Sequence, residues 1–346
     1  MVALLVILFV ICIMGGGAKI YKFNENYISP KYTNAIKGVF ALIILFSHMR
    51  GYITLSNNFY DQWFCGILDF IGQLMVAPYL FYSGFGIMES LKNKPYYMQA
   101  YPKKRILKTL INFDLAVLLY VITMSLIKVY YPTSYYFTCW IGWDSVGNSN
   151  WFIFDILMLY VMFFICYHVY KYIIPKHIPD RKRQFAMLLL FTIMTIILWT
   201  GLYMANKGCR WIDTLITCPM GAWFSYFRLQ IEGIMKKTYI SDLLLLLLAV
   251  AFVIWKIHFG NDKIGIAACL FCLLLVLICT KVEIDNKYLQ WLGTHAFSIY
   301  IIQRLPMNLF SYYGFDDNAY RFALISIPSV LITAYIYNQV LARIHQ

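Results

Sequence analysis

Runs of about twenty apolar residues, the length an α-helix needs to cross a hydrocarbon layer, recur from end to end of this 346-residue chain. Backbone N–H and C=O groups cannot stay unpaired in lipid, so such runs must be helices. The alternation that marks the strands of a lipid-facing barrel is absent. Hydrophobic residues make up 61% of the chain and charged residues 13%, against roughly 25% charged in a soluble domain. Mean hydropathy is +0.65. The expected fold is therefore all-α, a polytopic integral membrane helical bundle of about ten or eleven transmembrane helices.

The runs read as spans over Val2–Met14, Ala35–Ile53, Cys65–Met88, Ile106–Ile127, Trp151–Tyr170, Phe185–Met204, Ile212–Phe227, Ile240–Ile257, Ile264–Thr280, Leu289–Phe310 and Phe322–Leu341. The first is short enough to invite comparison with a signal peptide. It lacks a basic n-region, and cleavage after it would strand Lys19, Lys22, Lys31 and Lys37 outside the cell. Residues 1–31 thus read as an N-terminal hydrophobic span with a basic cytoplasmic linker, and residues 32–346 as the membrane domain proper. The longest loop, Lys128 to Asn150, is too short for an independent core.

Charge fixes the expected orientation. A net charge of +13 would point to nucleic acid in a soluble protein. Here it sits in short loops and follows the positive-inside rule. Segments 15–37, 89–108, 171–183, 228–239, 281–289 and the C-terminus hold 21 of the 29 basic residues, and the opposite ends hold 8. That split alternates through every span and places the C-terminus in the cytoplasm. The partners it implies are membrane lipids, not nucleic acid; oligomeric state is silent. Cys269 and Cys272 form a CxxC inside a leucine-rich span, with no second ligand pair nearby, so no metal is expected there. Cys65, Cys139 and Cys209 fall near outer ends of spans, where a disulfide is one option.

The segment 34–51, Asn-Ala-Ile-Lys-Gly-Val-Phe-Ala-Leu-Ile-Ile-Leu-Phe-Ser-His-Met-Arg-Gly, carries the chemistry. Lys37 sits at the cytoplasmic end of a span and His48 follows eleven residues later. Eleven residues make close to three helical turns, so both side chains face one way, about 16 Å apart along the axis. An ionisable residue in a span is costly and marks a functional hypothesis. The alternative is an interfacial imidazole solvated by headgroups or held by a neighbouring helix.

This segment resembles the signature of the membrane acyltransferase 3 family: a basic residue, then Gly, then a His, matched here by Lys37, Gly38 and His48. Asn34 stands where the family often has Asp, and Lys37 where Arg is commoner. Pro78-Tyr-Leu-Phe-Tyr-Ser83-Gly84-Phe85 is similar to its Phe-Phe-x-x-Ser-Gly-Phe stretch. Arg105-Ile-Leu-Lys108 resembles an Arg-x-x-Arg entry to the following helix. Asn150-Trp151-Phe152-Ile153 with Tyr160, Pro219-Met-Gly221, and Leu292-Gly293 through Ser298-Ile-Tyr300-Ile-Ile-Gln303 resemble later blocks. Gln303 stands where the family frequently has His. The resemblance covers roughly residues 32–340.

The resemblance implies an acyl-CoA-dependent O-acyltransferase, most often using acetyl-CoA to modify sugars or surface glycans at the bacterial inner membrane. It implies a sugar or glycan acceptor, lipid-linked in some cases, and no metal. Lys37, Arg105 and Lys108 fall on motif positions suited to the phosphates of CoA: Arg offers a bidentate fork and Lys a point charge. Lys103 and Lys104 are explained by orientation alone. The reach from Lys37 to His48 is comparable with a stretched pantetheine arm, which makes His48 the expected general base; a transient acyl-imidazole is the alternative route. Gly84 reads as a packing residue, while Ser83 is a candidate to orient His48 or to donate to the oxyanion.

Other intramembrane polar residues divide between substrate and structure. Arg50, Arg304 and Arg321 are available to pair with Asp69 and Asp155. Asp69 either meets a glycan's hydroxyls or holds helices in register. Trp151, with Trp63, Trp140 and Trp143, forms an aromatic belt or a sugar-stacking surface; Tyr300 joins the substrate set. Two non-catalytic readings remain at this point: a glycolipid transporter or flippase, disfavoured because the halves show no matching broken helices, and an envelope scaffold.

Overall fold

The structure is a computed structural model that describes residues 16–55 and 58–345; the expected span Val2–Met14 lies outside them. The chain opens with β1 (Gly16–Ile20) and continues through α1 (Pro30–Met49), α2 (Phe59–Ile71), α3 (Ala77–Asn93), α4 (Tyr97–Leu126), α5 (Trp151–Ile173), α6 (Asp180–Met204), α7 (Thr217–Tyr226) and α8 (Arg228–Met235). It ends with α9 (Thr238–Phe259), α10 (Ile264–Lys281), β2 (Val282–Asn286), α11 (Lys287–Ile302), α12 (Arg304–Tyr312) and α13 (Ala319–Ile344). This is an all-α polytopic membrane protein.

Among the described residues seven helices, α1, α4, α5, α6, α9, α10 and α13, are long and apolar enough to cross a bilayer, and α2 with α3 qualifies as one span bent by 42°. The expected segments Ile212–Phe227 and Leu289–Phe310 are helical too, but as shorter pieces. Pro306 explains the second case. Its ring has no N–H to offer Ile302 and clashes with that carbonyl, so the helix breaks at Gln303 between α11 and α12. The bend between α2 and α3 falls at Gly72, where a methyl group would lie 2.5 Å from the Leu68 carbonyl oxygen and 2.6 Å from Ser47 Oγ. Pro78 sits in the first turn of α3, the position where its missing N–H costs nothing. Along α9, Leu243, Leu246, Leu247, Val250, Val253, Ile254 and Ile257 are all exposed. A surface of that kind is stable only against lipid chains.

The chain divides into two compact units. The first comprises Met1–Met75, Asn112–Asn150 and Cys279–Gln346. Its central feature is α1 laid against α11. A methyl group at Gly38 would sit 2.1 Å from the Leu289 carbonyl oxygen, and one at Gly293 would sit 1.8 Å from that of Asn34. Each helix thus rests its glycine on the other's backbone. Small residues permit this approach, and dispersion between the closely packed backbones rewards it. Asn286 starts α11 by accepting hydrogen bonds from the N–H groups of Tyr288 and Leu289 at 2.9 and 3.1 Å, an N-cap. Just before it, β2 pairs antiparallel with β1, Gly16 opposite Asn286 and Ile20 opposite Val282. Lys31 reaches Asp285 at 3.1 Å, holding that exposed carboxylate below its usual range.

The second unit comprises Val76–Ile111 and Trp151–Ile278. It repeats the device. Gly84 of α3 faces the Cys218 carbonyl oxygen at 1.9 Å from a notional methyl, and Gly221 of α7 faces that of Phe81 at 1.9 Å. Thr217 Oγ1 donates to the Ala77 carbonyl at 3.1 Å. At the far end of the pair, Glu89 gathers Ser225 Oγ at 2.6 Å, Lys92 at 3.2 Å and Arg228 at 3.1 Å.

Candidate functional site

In the first unit α1 is uninterrupted from Pro30 to Met49, so Lys37 and His48 keep the common face that their spacing dictates. Both side chains are half-buried. The His48 imidazole has Ser149 Oγ 3.5 Å from its Nδ1, and its ring centroid lies 6.0 Å from that of Tyr300. Tyr300, on α11, is 8% exposed. The Gly38–Gly293 contact explains why these rings meet: it fixes α11 against α1, and Tyr300 lies two turns beyond Gly293.

Ser149 comes from a loop that its own polar groups hold in place. Ser145 Oγ donates to the Asn148 carbonyl at 2.7 Å, the Val146 N–H donates to Asn148 Oδ1 at 3.0 Å, and Asn150 Nδ2 donates to the Gly142 carbonyl at 2.8 Å. Gly147 has φ +93, and a methyl there would strike Met124 Cε at 2.8 Å, so only glycine serves. Its carbonyl accepts from Asn308 Nδ2 at 3.2 Å, and Asn308 Oδ1 accepts from the Tyr52 hydroxyl at 2.7 Å. Asn148, Ser149 and Asn150 are all buried.

Two residues past His48, Arg50 forms an ion pair with Asp69 of α2 at 2.5 Å and donates to the Cys65 carbonyl at 3.4 Å. The Asp69 carboxylate is thus turned toward a protein cation while its side chain stays 57% exposed. Gln303 is fully buried in the break between α11 and α12, with Nε2 donating to the Tyr300 carbonyl at 3.1 Å. At the position where the sequence pattern favours an imidazole, this chain has an amide bound to its own backbone.

In the second unit Ser83 of α3 and Tyr160 of α5 share a hydrogen bond of 2.9 Å between their hydroxyls. The Tyr160 carbonyl accepts from the Tyr101 hydroxyl at 3.3 Å. Arg105 stands over the Tyr160 ring with its guanidinium carbon 5.9 Å from the centroid, within cation–π range. Its Nε donates to the Tyr97 hydroxyl at 3.2 Å. The backbone places it there through a π-helical stretch, Pro102–Leu107, a local widening that re-aims side chains and is frequent at functional sites. Lys103, Lys104 and Lys108 are exposed on the same stretch or just after it. Trp151 opens α5, half-buried, its ring edge-on to Phe152. Asp155 is fully buried, and neither carboxylate oxygen has a hydrogen-bond partner among the described residues.

Sequence reasoning named His48 and Tyr300, which the structure brings together, and Ser83 and Arg105, which Tyr160 connects. It missed Ser149 and Tyr97. The signal for Ser149 was available: three consecutive polar residues directly before an apolar helix must either face water or be bound internally. All described cysteines are free thiols.

A multi-pass helical bundle of this kind defines a class: a polytopic membrane protein that carries ionisable side chains on its spanning helices. A family model described as an acyltransferase domain matches residues 31–338. The chain belongs to that acyltransferase 3 family and is a membrane acyltransferase. No curated protein and no solved structure matches it.

Proposed function

We propose that this acyltransferase moves an acyl group, acetyl in the first instance, from cytoplasmic acyl-CoA to a hydroxyl of an extracytoplasmic or lipid-linked saccharide. His48 is the general base. It takes the proton of the acceptor hydroxyl as that oxygen attacks the thioester carbonyl; the C–S bond breaks and the thiolate of CoA leaves and is protonated. Lys37, Arg105 and Lys108 are the cations assigned to the donor's phosphates, and Asp69, Trp151 and Tyr300 the residues assigned to the acceptor.

The observation that supports this reading best is the unbroken α1, which sets Lys37 and His48 on one face. A second feature agrees with it. Arg105 uses its Nε on Tyr97, while its two terminal nitrogens make no hydrogen bond among the described residues. A guanidinium held at its stem with its fork open suits a phosphate.

Radiolabelled acetyl-CoA supplied to purified protein together with membranes carrying the native glycan tests the reading. Label is expected in the glycan fraction, and His48→Ala is expected to abolish the transfer while the protein still folds. Full transfer by the His48→Ala variant would remove the imidazole from the mechanism. Labelling that placed residues 34–37 outside the cell would overturn the orientation.

A further inference from the structure

We infer that Tyr160 is a positioning residue for the acyl donor, its ring seating the phosphate-binding Arg105 and its hydroxyl aiming Ser83. The inference rests on the donor reading above and concerns one side chain that the family pattern leaves without a role.

Three independent contacts converge on Tyr160, all within the second unit. The ring lies under the Arg105 guanidinium at 5.9 Å. The phenol oxygen lies 2.9 Å from Ser83 Oγ. The backbone carbonyl is taken by Tyr101, whose ring also meets the Tyr160 ring edge-on at 6.1 Å. Tyr101 is itself fully buried and stacked on Phe164 with an interplanar angle of 5°. Tyr160 therefore cannot swing away from Arg105 without leaving Ser83, and its carbonyl is anchored to a residue with no room to move.

The two ends of the side chain do different things. The aromatic face attracts a cation through its quadrupole and, with Tyr97 on Nε, leaves the guanidinium only its terminal nitrogens to turn toward a ligand. The hydroxyl exchanges a hydrogen bond with Ser83, which directs the remaining donor or lone pairs of that serine. Ser83 precedes Gly84, whose seat on the Cys218 carbonyl fixes the helix at that level. A donor whose phosphates rest on Arg105 would then run its pantetheine arm along Tyr160 and past Ser83.

The two functions are separable by substitution. Tyr160→Phe keeps the ring and loses the hydroxyl. Tyr160→Leu loses both. Initial rates of acetyl-CoA turnover by the full-length purified enzyme, with native glycan membranes as acceptor, are read as KM for acetyl-CoA and kcat. The expected result for Tyr160→Phe is an unchanged KM and a kcat lowered about five- to tenfold, the value of one hydrogen bond. For Tyr160→Leu a KM raised on the order of tenfold is expected in addition, from loss of the cation–π seat. Tyr160→Phe and Ser83→Ala combined should be no slower than the worse single variant, because the two hydroxyls act as one unit. Thermal melts of each variant separate misfolding from these effects.

Arg105→Ala is the companion measurement. If it raises KM for acetyl-CoA while Tyr160→Phe moves KM and kcat together, or neither, the donor reading stands and the inference about Tyr160 is overturned. If Arg105→Ala leaves KM unchanged, both are overturned.

Discussion

Gly38 and Gly293 sit on each other's helices: the first lies against the carbonyl of Leu289, the second against the carbonyl of Asn34. Both belong to sequence blocks that look catalytic because His48 and Tyr300 follow them. Their own work is to let α1 and α11 touch, which is what brings the two rings within 6.0 Å. Gly38→Ala or Gly293→Ala forces a methyl into backbone that has no flexible end to yield. A loss of about 1–3 kcal/mol or more is expected, as for overpacking generally, seen as a lower melting temperature in detergent. Gly86→Ala is the control. Nothing lies within 4 Å of its notional methyl, so helix propensity alone should leave it neutral or stabilise it by about 1 kcal/mol. Equal tolerance at all three positions would contradict the contact.

The Arg50–Asp69 pair tests how far a short ion pair at a half-exposed position matters. Asp69→Asn should cost below about 1 kcal/mol of stability, because water screens the charges and both side chains remain accessible. If Asp69 serves the acceptor as well, the same variant raises KM for the glycan while KM for acetyl-CoA stays fixed. A change in the donor constant alone would place Asp69 in the wrong role.

The spans were legible because lipid leaves only one way to satisfy a backbone, and an apolar run of the right length therefore means a helix. Lys37 and His48 were legible because an α-helix converts spacing directly into a shared face. The β1–β2 pairing was not: residues 16–20 meet residues 282–286 across nearly the whole chain, and five-residue strands carry no local pattern strong enough to announce such a partner. Breaks were half legible. Pro306 announces the end of α11 by its chemistry, whereas the bend at Gly72 depends on Ser47 of another helix, which only the packed structure supplies. For Asp155 the sequence offered arginine partners; the structure buries the acid without a hydrogen bond among the described residues, because burial is decided by helix packing and not by which charges the chain contains.

Ser149 Oγ lies 3.5 Å from Nδ1 of the His48 imidazole. A hydroxyl there helps to orient the ring, since it can donate to a bare Nδ1 or accept from a protonated one. Ser149→Ala is expected to lower kcat by about three- to tenfold, within the range of a single hydrogen bond, and to leave KM for acetyl-CoA unchanged. His48→Ala in the same background should add the full loss. If Ser149→Ala is indistinguishable from the native enzyme in single-turnover rates, the contact has no part in orienting His48.

Asp155 carries the reverse expectation. A buried carboxyl with no partner forfeits the hydrogen bonds it made to water, about 1–3 kcal/mol for such a group. Removing it therefore restores rather than removes stability. Asp155→Leu replaces the acid by an apolar side chain of similar volume and should melt at the same temperature or higher, as when buried polar groups give way to well-packed hydrophobes. Asp155→Asn keeps the polarity and should gain less. Should both variants melt well below the native protein, the carboxylate must be bonded to something that the folded chain alone does not supply, and a bound ligand or ordered water at that level of α5 becomes the explanation to pursue.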